Sequence, residues 1–158
     1  MLSLKMKKMR RKDRAIPDDE AAALLEKAEY GVLSTVSEEG VPYGVPLNFC
    51  FIDGCLFFHS AVTGLKLDNI QANKTVSFCI VGETQLLPAK FSTRYESVIV
   101  SGEAEEVFAA EKRRGLEGLL RKYSPGHMER GKRYIDTDRQ KTRVFKITIT
   151  ALTGKARR

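Results

Sequence analysis

The segment Val41–His59 constrains this chain more than any other. Apolar, β-branched and aromatic residues run from Val41 to Ile52, Asp53-Gly54 interrupts them, and Cys55-Leu56-Phe57-Phe58-His59 follows. Asp and Gly both tolerate positive φ, so the pair reads as a tight hairpin turn between antiparallel strands. Pro42 and Pro46 cannot donate to a ladder, so the first strand is an edge or bulged segment with free backbone groups. A doubly wound parallel sheet has no place for such a hairpin-rich order.

The flanking sequence agrees with a small closed sheet. Ile16-Pro17-Asp18-Asp19-Glu20 is a helix start, with proline in the first turn and acids at the positive end of the helix dipole. Ala21, Leu24, Leu25 and Ala28 continue it at helical spacing. Gly31 switches the chain to a strand, Val32–Val36, and Glu38-Glu39-Gly40 is a turn. Further on the pattern predicts a helix over Leu65–Ala72 and a strand over Thr75–Val81. Gly82–Phe91 reads as a loop or short broken strand. A long strand, Tyr95–Val107, breaks at Gly102, and a helix over Ala109–Tyr123 is weakened by Gly115 and Gly118. Ser124–Asp138 reads as loop with helical fragments, and Thr142–Leu152 as the last strand. The expectation is a mainly β (α+β) barrel of antiparallel strands with a few flanking helices, closed so that strand edges are not left open.

Bulk properties exclude several classes. At 158 residues the chain suits one domain with its own core. No apolar run approaches a membrane span, and no secretory signal is read at the start, so no membrane partner and a cytoplasmic location are expected. Three cysteines, Cys50, Cys55 and Cys79, form no CxxC pair and read as reduced core residues; no metal site is expected. The net charge of +7 comes largely from the ends. Lys5, Lys7, Lys8, Arg10, Arg11, Lys12 and Arg14 cluster within residues 1–14, which read as a mobile basic tail rather than a nucleic-acid surface. The domain proper is expected over residues 15–156.

One stretch carries chemistry: Phe58-His59-Ser60-Ala61-Val62-Thr63-Gly64-Leu65-Lys66. A strand ends at His59, small residues and a glycine follow, and a helix begins near Gly64. Amides at a helix N-terminus attract phosphate. Ser60 and Thr63 add hydroxyls, Lys66 a point charge, and His59 a ring nitrogen. Neither a Walker loop nor a Rossmann fingerprint is present. By spacing alone, a helix cap with a surface lysine explains the stretch equally.

The order Gly31-Val-Leu-Ser-Thr, Pro42-Tyr-Gly-Val-Pro-Leu-Asn48, Asp53-Gly54, Phe58-His-Ser-Ala-x-x-Gly64-x-Lys66 and Tyr95-x-Ser-Val-x-x-x-Gly102 resembles the pyridoxamine 5′-phosphate oxidase-like split barrels that bind flavin mononucleotide (FMN). It is most similar to the branch containing nitroimidazole-resistance reductases, and the closing Ile147-x-x-x-x-Leu152-Thr153-Gly154-Lys155 fits that branch. The resemblance spans about Ile16 to Ala156. It implies a split β-barrel, a homodimer and FMN at the subunit interface. His59, Ser60, Ala61, Gly64 and Lys66 then match the phosphate turn. Pro46, Leu47, Asn48 and Phe49 match the strand along the isoalloxazine ring, with backbone groups free to meet its polar edge. Tyr95 and Ser97 match the strand that approaches from the facing subunit.

The resemblance also implies flavin-dependent oxidoreductase chemistry, in which a nicotinamide donor or another reductant supplies electrons and a small-molecule substrate, such as a nitroaromatic compound, accepts them. The residues assign no catalytic side chain. Thr153–Arg158 does not carry the arginine-rich pattern by which the oxidases themselves are recognised, so pyridoxal phosphate production is not expected. A non-catalytic flavin or haem binder of the same fold, with His59 or His127 as axial ligand, remains the alternative, as does a deazaflavin in place of FMN.

Overall fold

The computed structural model describes residues 8–158. Its strands are β1 (Ala15–Ile16), β2 (Gly31–Val36), β3 (Pro42–Leu47), β4 (Cys50–Ile52), β5 (Cys55–Ser60), β6 (Thr75–Leu87), β7 (Ser92–Val107) and β8 (Arg143–Arg157). The helices are α1 (Asp18–Lys27), α2 (Leu65–Ala72), α3 (Ala109–Tyr123) and α4 (Met128–Asp138). All eight strands belong to one antiparallel sheet in the order β3-β2-β6-β7-β8-β5-β4, with β1 added to β8. β3 lies at one edge, as its prolines require, and runs through Asn48 and Phe49 into β4 at the other edge. The sheet is thereby the split β-barrel expected from the sequence.

The Asp53-Gly54 turn has φ of 46° and 74°, the pair of positive values that a two-residue hairpin needs. Alternation then sorts the core. Leu33, Leu56, Phe58, Phe78, Val98, Val100 and Ile147 point into the barrel, where Phe49 meets Phe78 edge-on at 4.8 Å. On the other side of β5, Phe57 joins Cys50, Val107, Leu119 and Val144 beneath α3. Each fully buried Phe contributes roughly 2–3 kcal/mol of apolar burial. The two glycines that weaken α3 as a helix are what let it lie on the sheet. A Cβ at Gly115 would stand 2.8 Å from Phe57, and one at Gly118 would stand 2.5 Å from Ile52.

Five sequence expectations change. The segment 82–91 is not a loop: β6 runs on to Leu87 with a register shift between Val81 and Thr84, then turns through a 3-10 segment, Pro88–Lys90, into β7. The shift absorbs Gly82, which reads locally as a breaker. The segment 41–52 is two strands, broken at Asn48-Phe49. Residues 124–138 hold an ordered helix, α4, after a 3-10 turn at Pro125–His127. The last strand continues to Arg157 and carries Gly154, which packs against Ile16 and Ala21. Gly102 does not break β7 but marks its register shift against β8. Of the expected basic tail, residues 1–7 lie outside the described residues, while Lys12–Arg14 forms a short 3-10 turn leading into β1. No helix among the described residues is long and apolar enough to cross a membrane.

Candidate functional site

β5 delivers the chain to the site. Its last residues pair with β8, His59 opposite Val144 and Ser60 opposite Arg143. Ser60 takes the barrel side with Phe58, while His59 takes the α3 side with Phe57. Two adjacent residues of the expected phosphate set thus project from opposite faces of one strand. Ser60 is 5% exposed, and its Oγ is buried without a hydrogen-bond partner. A buried hydroxyl left unbonded is costly and marks a place where a ligand or water is expected.

Ala61, Val62 and Thr63 form an exposed turn. Gly64 follows with φ of 149°, a conformation that L residues rarely adopt, and nothing stands where a Cβ would be. Its carbonyl accepts from Leu67 N–H at 2.9 Å and Asp68 N–H at 3.2 Å, which makes it the N-cap of α2. The amides of Leu65 and Lys66, in the first turn, have no acceptor within the helix and face outward from its positive end. Lys66, half-buried, is close enough to His59 for its charge to matter. Burial, and then that charge, lower the His59 pKa and favour neutral imidazole.

The turn is held in place by groups distant in sequence. Arg143 Nη1 donates to the Val62 carbonyl at 3.4 Å, while Nε and Nη2 of the same guanidinium donate to Glu106 Oε1 and Oε2 at 3.0 and 2.7 Å. That fork lowers the Glu106 pKa. Asn69 Nδ2 donates to Thr35 Oγ1 at 2.9 Å, both side chains buried, and ties α2 to β2. Sequence reasoning passed over Arg143 and Asn69. Their partners lie 81 and 34 residues away, and no local pattern announces them.

The second group is the end of β3. Pro46 and Asn48 are exposed and Leu47 is half-buried. Asn48 lines a cavity of about 520 Å³ with Tyr30, Lys122 and Tyr123. Phe49 departs from expectation. It is 0% exposed, and its backbone is not free: its N–H donates to the Tyr123 hydroxyl at 3.1 Å, and its carbonyl lies 3.1 Å from the same oxygen. Tyr123 Oη also reaches the Glu29 carbonyl at 2.5 Å. Phe49 is a core residue clamped by α3, and its backbone groups are engaged rather than free as expected. The Lys122 ammonium sits 3.8 Å from the Phe49 ring centre, and burial lowers its pKa.

Tyr95 and Ser97 fall elsewhere. On β7 they pair with Arg157 and Lys155, whereas His59 pairs with Val144 at the other end of β8. The interval is on the order of 40 Å of extended strand. Within one chain they do not join the β5–α2 turn. Tyr95 is instead surrounded by cations: hydrogen bonds from Lys155 and then Arg14 lower its pKa.

Residues 17–156 match the pyridoxamine 5′-phosphate oxidase family. The chain belongs to that family. No curated protein sequence matches it at a significant level. Among solved structures, one from Bacteroides thetaiotaomicron, provisionally described as a 5-nitroimidazole antibiotic resistance protein, is 26% identical with a TM-score of 0.78, over 90% of this chain and 86% of that one. A flavocytochrome of Azotobacter vinelandii shares the fold at 20% identity and a TM-score of 0.82, over 96% and 72% of the two chains. An FAD-binding protein of Mesorhizobium loti does so at 23% identity and 0.66, over 92% and 98%. The family match and these structures agree on the split-barrel fold described above, a fold in which several of the neighbours bind flavin. Among the described residues no cluster of three or more His, Cys, Asp or Glu could hold a metal ion.

Proposed function

We propose that this protein is an FMN-binding homodimer acting as a flavin-dependent oxidoreductase, with a small nitroaromatic or similar compound as electron acceptor and a nicotinamide or other reductant as donor. The β5–α2 turn carries the reading. An unpartnered buried hydroxyl at Ser60, two outward amides at the start of α2 and the ammonium of Lys66 converge on one turn. These are the donors a terminal phosphate needs. Gly64 leaves room for the close approach of an oxygen to backbone. When bound, the flavin supplies the electron transfer, and the chain holds and orients it. Pro46 and Leu47 would flank the ring from the edge strand, and Asn48 would offer its amide to the ring's polar rim.

The dimer is supported by one face of the sheet. The rows Pro46–Val32–Cys79–Ile99–Thr153 and Gly44–Ser34–Ser77–Ser101–Ala151 cross five strands without a charge. They point outward: Ile99 is 44% exposed between two fully buried valines, and Val81 nearby is 60% exposed. In a chain with 30% charged residues such a face is unusual, and it fits contact with a second copy. Pro46 and the strand of Ser97 share it, so a partner packed here would bring Tyr95 and Ser97 toward the flavin strand. An intracellular, cytoplasmic setting fits the three free thiols.

The test is the absorbance spectrum of the purified protein, followed by titration with FMN and with riboflavin. Flavin bands that co-elute with a dimer are expected. FMN should bind more tightly than riboflavin, and Lys66→Ala should weaken FMN by about 10–100-fold, the value of a charge-assisted contact. Failure to bind any flavin, or a Soret band in its place, overturns the reading.

A further inference from the structure

α3 and α4 are drawn together at two points. A Cβ at Gly131 would lie 2.2 Å from a Leu120 methyl, so a side chain there would push Leu120 aside as α4 approaches α3. Beyond it, Arg113 Nη1 donates to Asp136 at 2.5 Å. Between these ties Ile135 is the buried residue that α4 contributes, and one isoleucine does not fill the space. A cavity of about 230 Å³ remains, walled by Leu116, Leu119, Leu120 and Ile135, with His59, Thr142, Tyr134 and Asp138 supplying its polar groups.

Apolar walls with a few convergent polar groups are the marks of a ligand pocket. Size and charge limit the guest. An apolar cavity of about 150 Å³ holds benzene, whereas drug-sized pockets start near 300 Å³. One substituted ring is therefore the right scale. The one carboxylate on the lining, Asp138, is already paired with Lys141 at 3.0 Å, and the leucine walls offer nothing to replace an ion's hydration, so the guest is uncharged. Strand alternation turns the His59 imidazole away from Ser60 and toward this cavity, and no hydrogen bond within the described residues engages it. His59 remains partly open to solvent, but the desolvation of its ring and then the Lys66 charge lower its pKa and favour the neutral form, which presents one donor and one acceptor nitrogen.

We propose that the α3–α4 cavity binds an uncharged single-ring aromatic or heteroaromatic compound, its ring against the α3 leucines and its polar substituent at His59. That this guest is the electron acceptor rests on the flavin reading above; that it binds does not.

Nitrobenzene is titrated into the flavin-free full chain with amide ¹H–¹⁵N spectra as readout, and the titration is repeated with Leu116→Trp, whose indole would occupy the cavity. Saturable shifts confined to α3, α4 and the end of β5 are expected, with binding at least tenfold weaker in the variant. Because the indole could instead disturb α3, His59→Leu is the second variant. It should weaken nitrobenzene several-fold and leave toluene unchanged. Shifts that do not saturate or that map elsewhere overturn the proposal, as does a His59→Leu variant that binds nitrobenzene as well as the parent. Flavin is titrated separately. Loss of flavin binding with nitrobenzene binding kept would remove the acceptor role and leave the pocket standing.

Discussion

Replacing Ser60 by alanine should push stability and flavin affinity in opposite directions. In the flavin-free chain the Ser60 hydroxyl is buried and makes no hydrogen bond. An unsatisfied buried polar group costs about 1–3 kcal/mol, and Ser60→Ala removes it while leaving the backbone pairing with Arg143 intact. Stability of the flavin-free protein should therefore rise by about 1 kcal/mol, which for a chain of this length raises Tm by about 2–4 °C. In the loaded protein the same hydroxyl would donate to a phosphate oxygen, a charge-assisted bond of about 1.5–3 kcal/mol. FMN should then bind about 10–150-fold more weakly. Riboflavin, which has no phosphate, should bind the variant as well as the parent. Differential scanning calorimetry on the flavin-free pair, with fluorescence titrations of both flavins, reads all three quantities. A fall in Tm, or equal losses for FMN and riboflavin, would show that Ser60 is a structural residue and that the turn is not a phosphate site.

Three further outcomes test the scaffold. Tyr123→Phe deprives the Phe49 N–H and the Glu29 carbonyl of their shared partner and should cost about 1–3 kcal/mol in chemical denaturation, with the break between β3 and β4 loosened in amide exchange. Gly102→Ala puts a Cβ 2.5 Å from the Thr148 carbonyl oxygen, which is held in the β7–β8 ladder, and should destabilise by about 1–3 kcal/mol; an unchanged denaturation midpoint would refute this. Burial pushes the Cys50 thiol up to about 11, so at pH 8 it should react with a thiol reagent far more slowly than free cysteine does.

Local chemistry made part of this molecule readable. Asp53-Gly54 specifies its turn because both residues accept positive φ, and the residue pattern bounds α2 and α3 at Leu65–Ala72 and Ala109–Tyr123 as observed. The β5–α2 turn was legible for the same reason, since a glycine N-cap and small residues are contiguous ahead of the helix. The β6–β7 hairpin was not, because Gly82 and Pro88 read as breakers, whereas the ladder absorbs the first as a register shift and the second in the closing 3-10 turn. Phe49 was misread because its fate is decided by Tyr123, 74 residues later. His59 and Ser60 seemed one unit by adjacency, and only the position of β5 between the barrel interior and α3 separates them.

That separation bears on how the site is completed. Among the described residues three buried polar atoms lack partners: Ser60 Oγ, Ser92 Oγ and Lys122 Nζ. The Phe49 ring face compensates Lys122 in part. Ser92 closes the β6–β7 hairpin opposite Leu87, next to Phe91, which is 99% exposed at the tip. Ser60 alone stands beside outward helix amides and a lysine. On the proposed reading, one chain offers a phosphate end at the β5–α2 turn and an open edge strand at Pro46–Asn48, but no third side. Tyr95 and Ser97, on β7, pair with the far end of β8, so under the proposed dimer it is the second copy that brings them to that groove. Disrupting the uncharged sheet face, for instance by Ile99→Lys, should then weaken flavin binding and dimerisation together, although Ile99 lies on a different strand from every phosphate donor. Sedimentation velocity alongside an FMN titration decides it: a monomeric variant with undiminished FMN affinity would mean that one barrel suffices.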